Sequence, residues 1–352
     1  MSTQSNKFRI QLKWQSILIM GILFSLLLIY ILYIGVDDVI SSLFQANFLL
    51  LLFAIIVYYS SIFIRSYRWK LFLNSLKFQN SENISYWSIY SLITYSFSLN
   101  NLFPLRMGEF YRPYELSKKT NYKLVSSFAT IILERTLDII FMASLILITA
   151  VLQGMETVLN ESEIFLNLVL SVSIIGFFIF LLLILSREKP IYLIMKFLNF
   201  ISGFVQKKLI SDEEQTAQEI STEISKLIKN RRVIILGCLT SLTIWLMEGF
   251  VFWIVCISMK IDISIIMAIF ILLFAGLIGN SITSASGLGQ LPFMIAQLVL
   301  LVGITDNLAL STCIVYLVIV FWMIIPIGTF FHELEKVIIK SNLISKKSDK
   351  RR

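Results

Sequence analysis

SYWSIYSLITYSFSLNNLFPLRMGEFYRP, residues 85–113, begins as an apolar helix and then places two arginines, a glutamate and two prolines within ten residues. Whether this stretch crosses a membrane or turns back decides the fold. Basic residues flank it on both sides: Arg65, Arg68, Lys70 and Lys77 before it, and Arg106, Arg112, Lys118, Lys119 and Lys123 in and after it. Cytoplasmic loops collect Lys and Arg, so both ends are expected on the cytoplasmic side. Residues 84–103 then enter the membrane and PLRMGEFYRP brings the chain back as a re-entrant hairpin. Ser85, Ser88, Ser91, Thr94, Ser98 and Asn101 recur every three or four residues and form one polar stripe. Irregular backbone at membrane depth is tolerated only where protein buries it or water fills a cavity, so a hairpin implies a cavity. The same stripe also fits hydroxyls that bond neighbouring helices or their own carbonyls. The sequence leaves both readings open.

The surroundings are those of an integral membrane protein. Of 352 residues, 57% are hydrophobic and 15% charged, and the mean hydropathy is +0.83, more than a water-soluble domain carries without large exposed apolar areas. Apolar runs of about 20 residues, the length that spans a bilayer core, recur at 17–36, 48–64, 124–152, 164–185, 233–259 and 308–331. The first run is too long for a cleavable signal and is expected to be a permanent span. A second break, GNSITSASGLGQLP at 279–292, puts small and polar residues before a short apolar helix from Pro292 to Gly303. Two broken segments, one in each half, point to a transporter-type site between pseudo-symmetric halves; a flexible linker at 279–292 is the other reading. The expected fold class is therefore all-α, a polytopic membrane helical bundle of about eight transmembrane helices plus re-entrant or broken helices. Residues 1–352 form one integral membrane domain, with the bundle at 15–335, a cytoplasmic amphipathic segment at 190–232 and a basic cytoplasmic tail at 336–352. In that amphipathic segment Ile220, Ile224, Leu227 and Ile228 line one face. It reads either as a helix on the inner membrane surface or as a solvated linker helix.

Composition also limits the chemistry. The cysteines, Cys238, Cys256 and Cys313, lie in apolar runs without paired spacing, and His332 is the lone histidine, read as interfacial at the end of the last span. Neither a disulfide framework, a zinc site nor a Ser-His-Asp triad fits, and no GxxxxGK[ST] loop is present. No cofactor, metal or nucleic acid is expected; the net charge of +8 serves topology.

Charge inside the apolar runs is the strongest functional signal. ILERTLDIIF puts Glu134, Arg135 and Asp138 about ten residues into a span, where ionisable groups cost several kcal/mol unless paired or wet. Glu134 and Asp138 share a helix face, and Arg135 is three residues from Asp138, within reach of an ion pair. Glu248 stands in another apolar run with no local partner. In the opening stretch Pro104 suits a first helical turn, and Arg106, Glu109 and Arg112 then fall on one face, with Glu109 expected to hold the arginines apart. Pro113 is expected to limit the helix. Gly108 permits close approach of another helix or a phosphate, and arginine is suited to bidentate phosphate recognition.

At these residues the chain resembles the lysylphosphatidylglycerol synthase transmembrane region, a family of flippase-like integral membrane proteins. The matching pieces are Arg106-Met107-Gly108-Glu109 with Arg112, Glu134-Arg135 with Asp138, and Gly287-Leu288-Gly289, and the likeness covers about residues 15–335. The resemblance implies a helical bundle that moves or presents a lipid-linked substrate across the cytoplasmic membrane. Members fused to a soluble aminoacyltransferase domain transfer lysine to phosphatidylglycerol; no room for that domain is expected after Lys336. Here Ser284-Ala285-Ser286 precedes the Gly-Leu-Gly turn, and Pro292 stands where the family often has a carboxylate.

The function expected is a flippase-like transporter of a phosphate-bearing lipid, either an aminoacylated phospholipid or a polyprenyl-linked glycan. It would work in a prokaryotic cytoplasmic membrane with both termini inside. Arg106, Glu109, Arg112, Glu134, Arg135, Asp138 and Glu248 are the expected substrate contacts. Gly108, Ser286, Gly287 and Gly289 are the expected re-entrant turn residues. An embedded transferase using Glu109 or Glu134 as base is the alternative, and a non-transporting scaffold a third. A membrane lipid is the expected ligand, and envelope glycosyltransferases or lipid-modifying enzymes are the protein partners such a role suggests.

Overall fold

A computed structural model describes residues 37, 41, 43–76, 84–103, 106–120, 122–157, 213–282 and 290–349. Among them every regular element is helical, as the all-α reading expects, and four helical stretches are long and apolar enough to cross a membrane. The expected spans at 17–36 and 164–185, and the turn residues Ser286, Gly287 and Gly289, lie outside the described residues.

Helix α1 (Phe48–Ser75) begins where the Asn47 side chain accepts from the Leu49 and Leu50 amides. Its 28 residues extend well beyond residue 64; at 1.5 Å per residue that is about 42 Å. Arg65 and Arg68, read above as loop charges, are buried within it. The reason is long-range: their carboxylate partners lie on helices some 70 to 180 residues away. Exposed Phe48, Leu49, Ile235 and Leu239 cover the outside of the bundle with apolar surface, as lipid requires.

The turn after α2 (Tyr86–Leu102) is a hairpin, established by contacts and no longer by counting charges, since Arg65 and Arg68 left the loop. Helix α3 (Met107–Lys119) runs back along α2: the Gly108 amide donates to Asn100 Oδ1 at 2.8 Å, and Tyr111 meets Tyr95 edge to face with centroids 5.2 Å apart. A Cβ at Gly108 would fall 1.8 Å from the Ser96 carbonyl oxygen. Pro113 does not end α3 but sits inside it. Arg106 ends up outside the helix, in the left-handed region (φ 52°, ψ 46°), so it does not share one helical face with Glu109 and Arg112.

The polar stripe of α2 is mainly adhesive. Ser98 Oγ donates to the Ile324 carbonyl at 2.7 Å and Ser91 Oγ to Glu335 Oε2 at 2.9 Å, both on α10 (Ile324–Asp349), while Thr94 bonds back to the Tyr90 carbonyl at 2.9 Å. Of the two readings of the stripe, the neighbour-bonding one describes Ser91, Thr94 and Ser98. Gly328 of α10 makes the approach possible, since a Cβ there would lie 2.4 Å from the Thr94 carbonyl oxygen. His332 also belongs to this contact. It is buried, stacks on Tyr95 at 4.1 Å and meets the Tyr111 hydroxyl at 3.1 Å, and α10 continues past it.

Helix α4 (Leu124–Thr157) carries the buried charges. The amphipathic helix α5 (Glu213–Lys229) docks on the bundle, with Ile220 against Ala129 of α4 and Leu227 in a cluster with Phe72 and Leu133. Ile220 and Leu227 of its apolar stripe thus cover protein, while Ile228 is exposed, and neither surface reading holds for the two buried residues. Helices α6 (Arg231–Ser258) and α7 (Ile265–Ile282) follow. After the second break the short helix starts at Leu291, one residue before the expected Pro292: α8 (Leu291–Gln297) passes into a π turn (Leu298–Val302) that ends on left-handed Gly303. Helix α9 (Asp306–Leu317) reaches α10 through a second π turn, Val318–Trp322.

A side chain at Gly108 must displace backbone, and overpacking of this kind typically costs about 1–3 kcal/mol. Gly108→Ala and Gly328→Ala are each expected to destabilise the protein by about 2–3 kcal/mol. Thermal unfolding of the detergent-purified protein, followed by intrinsic fluorescence, reads this directly; wild-type midpoints for both would disprove the α2 packing.

Candidate functional site

Helices α1, α2, α4, α6, α7 and α9, with Arg106 and the second π turn, line a cavity of about 100 Å³. A site needs only about 10–15 Å³ on this measure to hold one water, so the space takes several waters or a compact polar group. Its charged wall is Arg65, Arg106, Arg135 and Glu248, and its flat wall is Phe97, Trp245, Tyr316 and Phe321. The π turn contributes here: Tyr58 donates to the Val320 carbonyl at 3.0 Å and Asn101 Nδ2 to the Phe321 carbonyl at 2.6 Å. A π turn departs from the regular ladder, and these two side chains hold its carbonyls in place.

The charges form two layers. In the deeper one, Arg68 Nη1 donates to Asp138 Oδ1 at 2.6 Å and to Ser241 Oγ at 2.5 Å, and Arg68 Nη2 reaches Glu134 Oε1 at 3.0 Å. Arg112 Nη2 donates to Glu134 Oε2 at 3.1 Å, and its guanidinium lies 4.5 Å from the Trp69 ring centre. Trp69 is itself held by its indole N–H on Thr130 Oγ1 at 3.0 Å. All four ionic side chains of this layer are buried. Two guanidiniums against two carboxylates leave it neutral.

The second layer meets the cavity. Arg135 bridges the two, reaching Glu134 Oε1 at 2.7 Å and Asp138 Oδ2 at 3.1 Å below and Glu109 Oε1 at 3.6 Å beside it. Arg106 pairs with Glu109 at 3.2 Å and is the most exposed of these arginines, with 41% of its side chain accessible. Glu248, without a partner in its own run, is ion-paired with Arg65, whose guanidinium stands 5.5 Å from the Phe97 ring centre and 5.7 Å from that of Trp245.

Of the expected contacts, Arg106, Arg135 and Glu248 line the cavity. Glu109 stands behind Arg106 and Arg135, pairing with both, and does not separate Arg106 from Arg112. Arg112, Glu134 and Asp138 belong to the deeper layer, and Gly108 to the helix contact. Arg65, Arg68, Trp245 and Asn101 were missed as site residues. A signal for the first two existed: IFIRSYRWKLFL stays apolar on both sides of Arg65 and Arg68, which are three apart and so share a helix face. Among the described residues no three His, Cys, Asp or Glu side chains gather as a metal ion would need.

Residues 18–328 match the family model described as the lysylphosphatidylglycerol synthase TM region. A UPF0104 membrane protein of Methanocaldococcus jannaschii is 28% identical over 246 residues, covering 69% of this chain and 96% of the relative. A UPF0104 membrane protein of Methanothermobacter thermautotrophicus is 25% identical over 309 residues, covering 85% of this chain and 89% of the relative. No solved structure matches.

Removing one partner of a buried ion pair strands the other and costs about 3–5 kcal/mol. Glu134→Gln is expected to lose that much, since Arg68, Arg112 and Arg135 all depend on it, whereas Glu248→Gln, next to the cavity, should lose clearly less. Unfolding midpoints of the two purified variants test the layering; equal losses would refute it.

Proposed function

The chain belongs to the lysylphosphatidylglycerol synthase transmembrane-region family, and from that premise we propose that this integral membrane protein moves or presents a phosphate-bearing lipid across the membrane. The observation that carries this reading is the cavity inside the bundle, with Arg65, Arg106 and Arg135 in its wall. A polar headgroup crosses hydrocarbon slowly because its polar groups lose water without replacement. A wet cavity with fixed guanidiniums replaces that water while the acyl or polyprenyl chains stay in lipid. Arg106 makes the first contact, being the most accessible of the three, and Arg65 and Arg135 receive the phosphate deeper in. The setting proposed is the cytoplasmic membrane of a prokaryote with both termini inside, beside envelope glycosyltransferases or lipid-modifying enzymes.

The driving force follows from the same contacts. Glu134 and Asp138 each meet at least two guanidiniums, so neither carboxylate is free to leave its partners. The lipid gradient or the membrane potential, worth about 2.3 kcal/mol per charge per 100 mV, is left to drive movement. The transferase alternative would need Glu109 or Glu134 as its base, and both carboxylates are already held by arginines.

Arg106 offers a test that separates function from folding. Its left-handed backbone strains a non-glycine residue by about 1 kcal/mol or more. Arg106→Gly relieves that strain while deleting the charge. Both Arg106→Ala and Arg106→Gly are expected to stop fluorescent-lipid movement in reconstituted vesicles, with the glycine variant unfolding no earlier than wild type. Undiminished lipid movement in the two variants would remove Arg106 from the mechanism.

A further inference from the structure

The cavity wall also constrains the charge of what enters it. We infer that the headgroup accepted here is net anionic, a phosphate ester without a cationic amine, and that Arg65, Arg106 and Trp245 impose this choice. The inference rests on the lipid reading above and narrows its two substrate classes to the one lacking an ammonium.

Four observations carry it. The ionic groups in and beneath the cavity wall are five guanidiniums, those of Arg65, Arg68, Arg106, Arg112 and Arg135, and four carboxylates, so among the described residues they hold an excess positive charge. Each carboxylate is already engaged: Glu248 by Arg65, Glu109 by Arg106 and Arg135, and Glu134 and Asp138 by Arg68 and Arg135, with Arg112 also on Glu134. An ammonium entering this space would have to take a carboxylate from a guanidinium in a region of low dielectric, and the ligand's own phosphate would then be spent on the arginine left behind.

Two of the aromatic faces are taken as well. Ammonium groups are otherwise held over aromatic faces, but the Phe97 and Trp245 rings that wall the cavity already carry the Arg65 guanidinium. An anion meets the opposite situation. The wall residues Arg65, Arg135 and Trp245 each keep a buried N–H, at Nε, Nε and Nε1, with no acceptor among the described residues. A buried donor without a partner is costly, and a phosphate diester or monoester supplies acceptor oxygens and no positive charge. Trp245 adds specificity beyond charge because its indole donates but cannot accept.

Native mass spectrometry of the full-length protein, offered phosphatidylglycerol and lysyl-phosphatidylglycerol in equal amounts, tests the choice with two lipids that differ only in the lysyl group. Glycerol phosphate alone is offered in a third arm, to separate a lipid headgroup from a free phosphate ester. Phosphatidylglycerol is expected to be retained at least tenfold more than the lysyl form. In Arg106→Glu, which turns five guanidiniums and four carboxylates into four and five, the preference should fall toward parity or invert. Trp245→Phe, which keeps the ring and removes the donor, should weaken phosphatidylglycerol retention several-fold. Equal or stronger retention of lysyl-phosphatidylglycerol by the wild-type protein overturns the inference and leaves the lipid reading standing. Retention of glycerol phosphate but neither lipid, or of none of the three, overturns the lipid reading and this inference with it. The wild-type comparison decides even if neither variant folds.

Discussion

Arg68 lies wholly inside the bundle, with no exposed side-chain surface, and holds Glu134 and Asp138 through one guanidinium. A charge in such a place is sustained only by partners, and the partners come from different helices: Asp138 and Glu134 from α4, Ser241 from α6, and Arg112 from α3 as a second cation on Glu134. Rotating or sliding any of these helices would leave an ion without its counter-ion in a low-dielectric interior, a loss of several kcal/mol. Hydrophobic contact does not specify such a register, because apolar side chains pack on one another, or on lipid, with little directional preference. The ionic layer therefore sets how α1, α3, α4 and α6 meet.

That layer is neutral, and its neutrality gives the cavity above it its character. With Glu134 and Asp138 satisfied from below, Arg135 can present part of its guanidinium upward, and Glu109 is drawn toward Arg135 and Arg106 instead of toward Arg112. Arg106 follows from the hairpin: α3 must turn back closely enough for Gly108 to touch the Ser96 carbonyl, and the residue before the helix takes a left-handed conformation to allow it. Strain at a residue that also lines the cavity is the kind of cost that persists at functional positions. The second π turn adds wall residues whose displaced carbonyls are held by Tyr58 and Asn101. Packing, strain and charge thus converge on the same small volume.

Much of the site was legible because charge in an apolar run is rare and needs a reason. Glu134, Arg135 and Asp138 could be read as an ionic cluster from spacing alone, and Arg135 does pair with Asp138. Arg65 and Arg68 were misassigned to a loop since a basic pair at the end of an apolar run is also what a cytoplasmic boundary looks like. The polar stripe of α2 was legible as a stripe but not as a contact, because a serine that lines water and a serine that bonds a neighbouring carbonyl occupy identical positions in the sequence. Pro113 was read as a helix stop from a preference that tertiary packing overrides: α3 continues to Lys119, which pairs with Glu335 of α10 at 3.2 Å.

The sequence by itself determined the class of protein, the helical period, the places where helices end after Leu102 and begin again near Pro292, and the set of ionisable groups that needed explaining. These depend on composition and on neighbours a few residues apart, where helix geometry is known in advance. Only the tertiary structure decided which charge answers which: Arg65 with Glu248, Arg68 with Asp138, and Arg112 with Glu134. Those pairings join residues up to 183 positions apart. Coulomb energy depends on distance in space and on local dielectric, and neither is defined until the helices have packed.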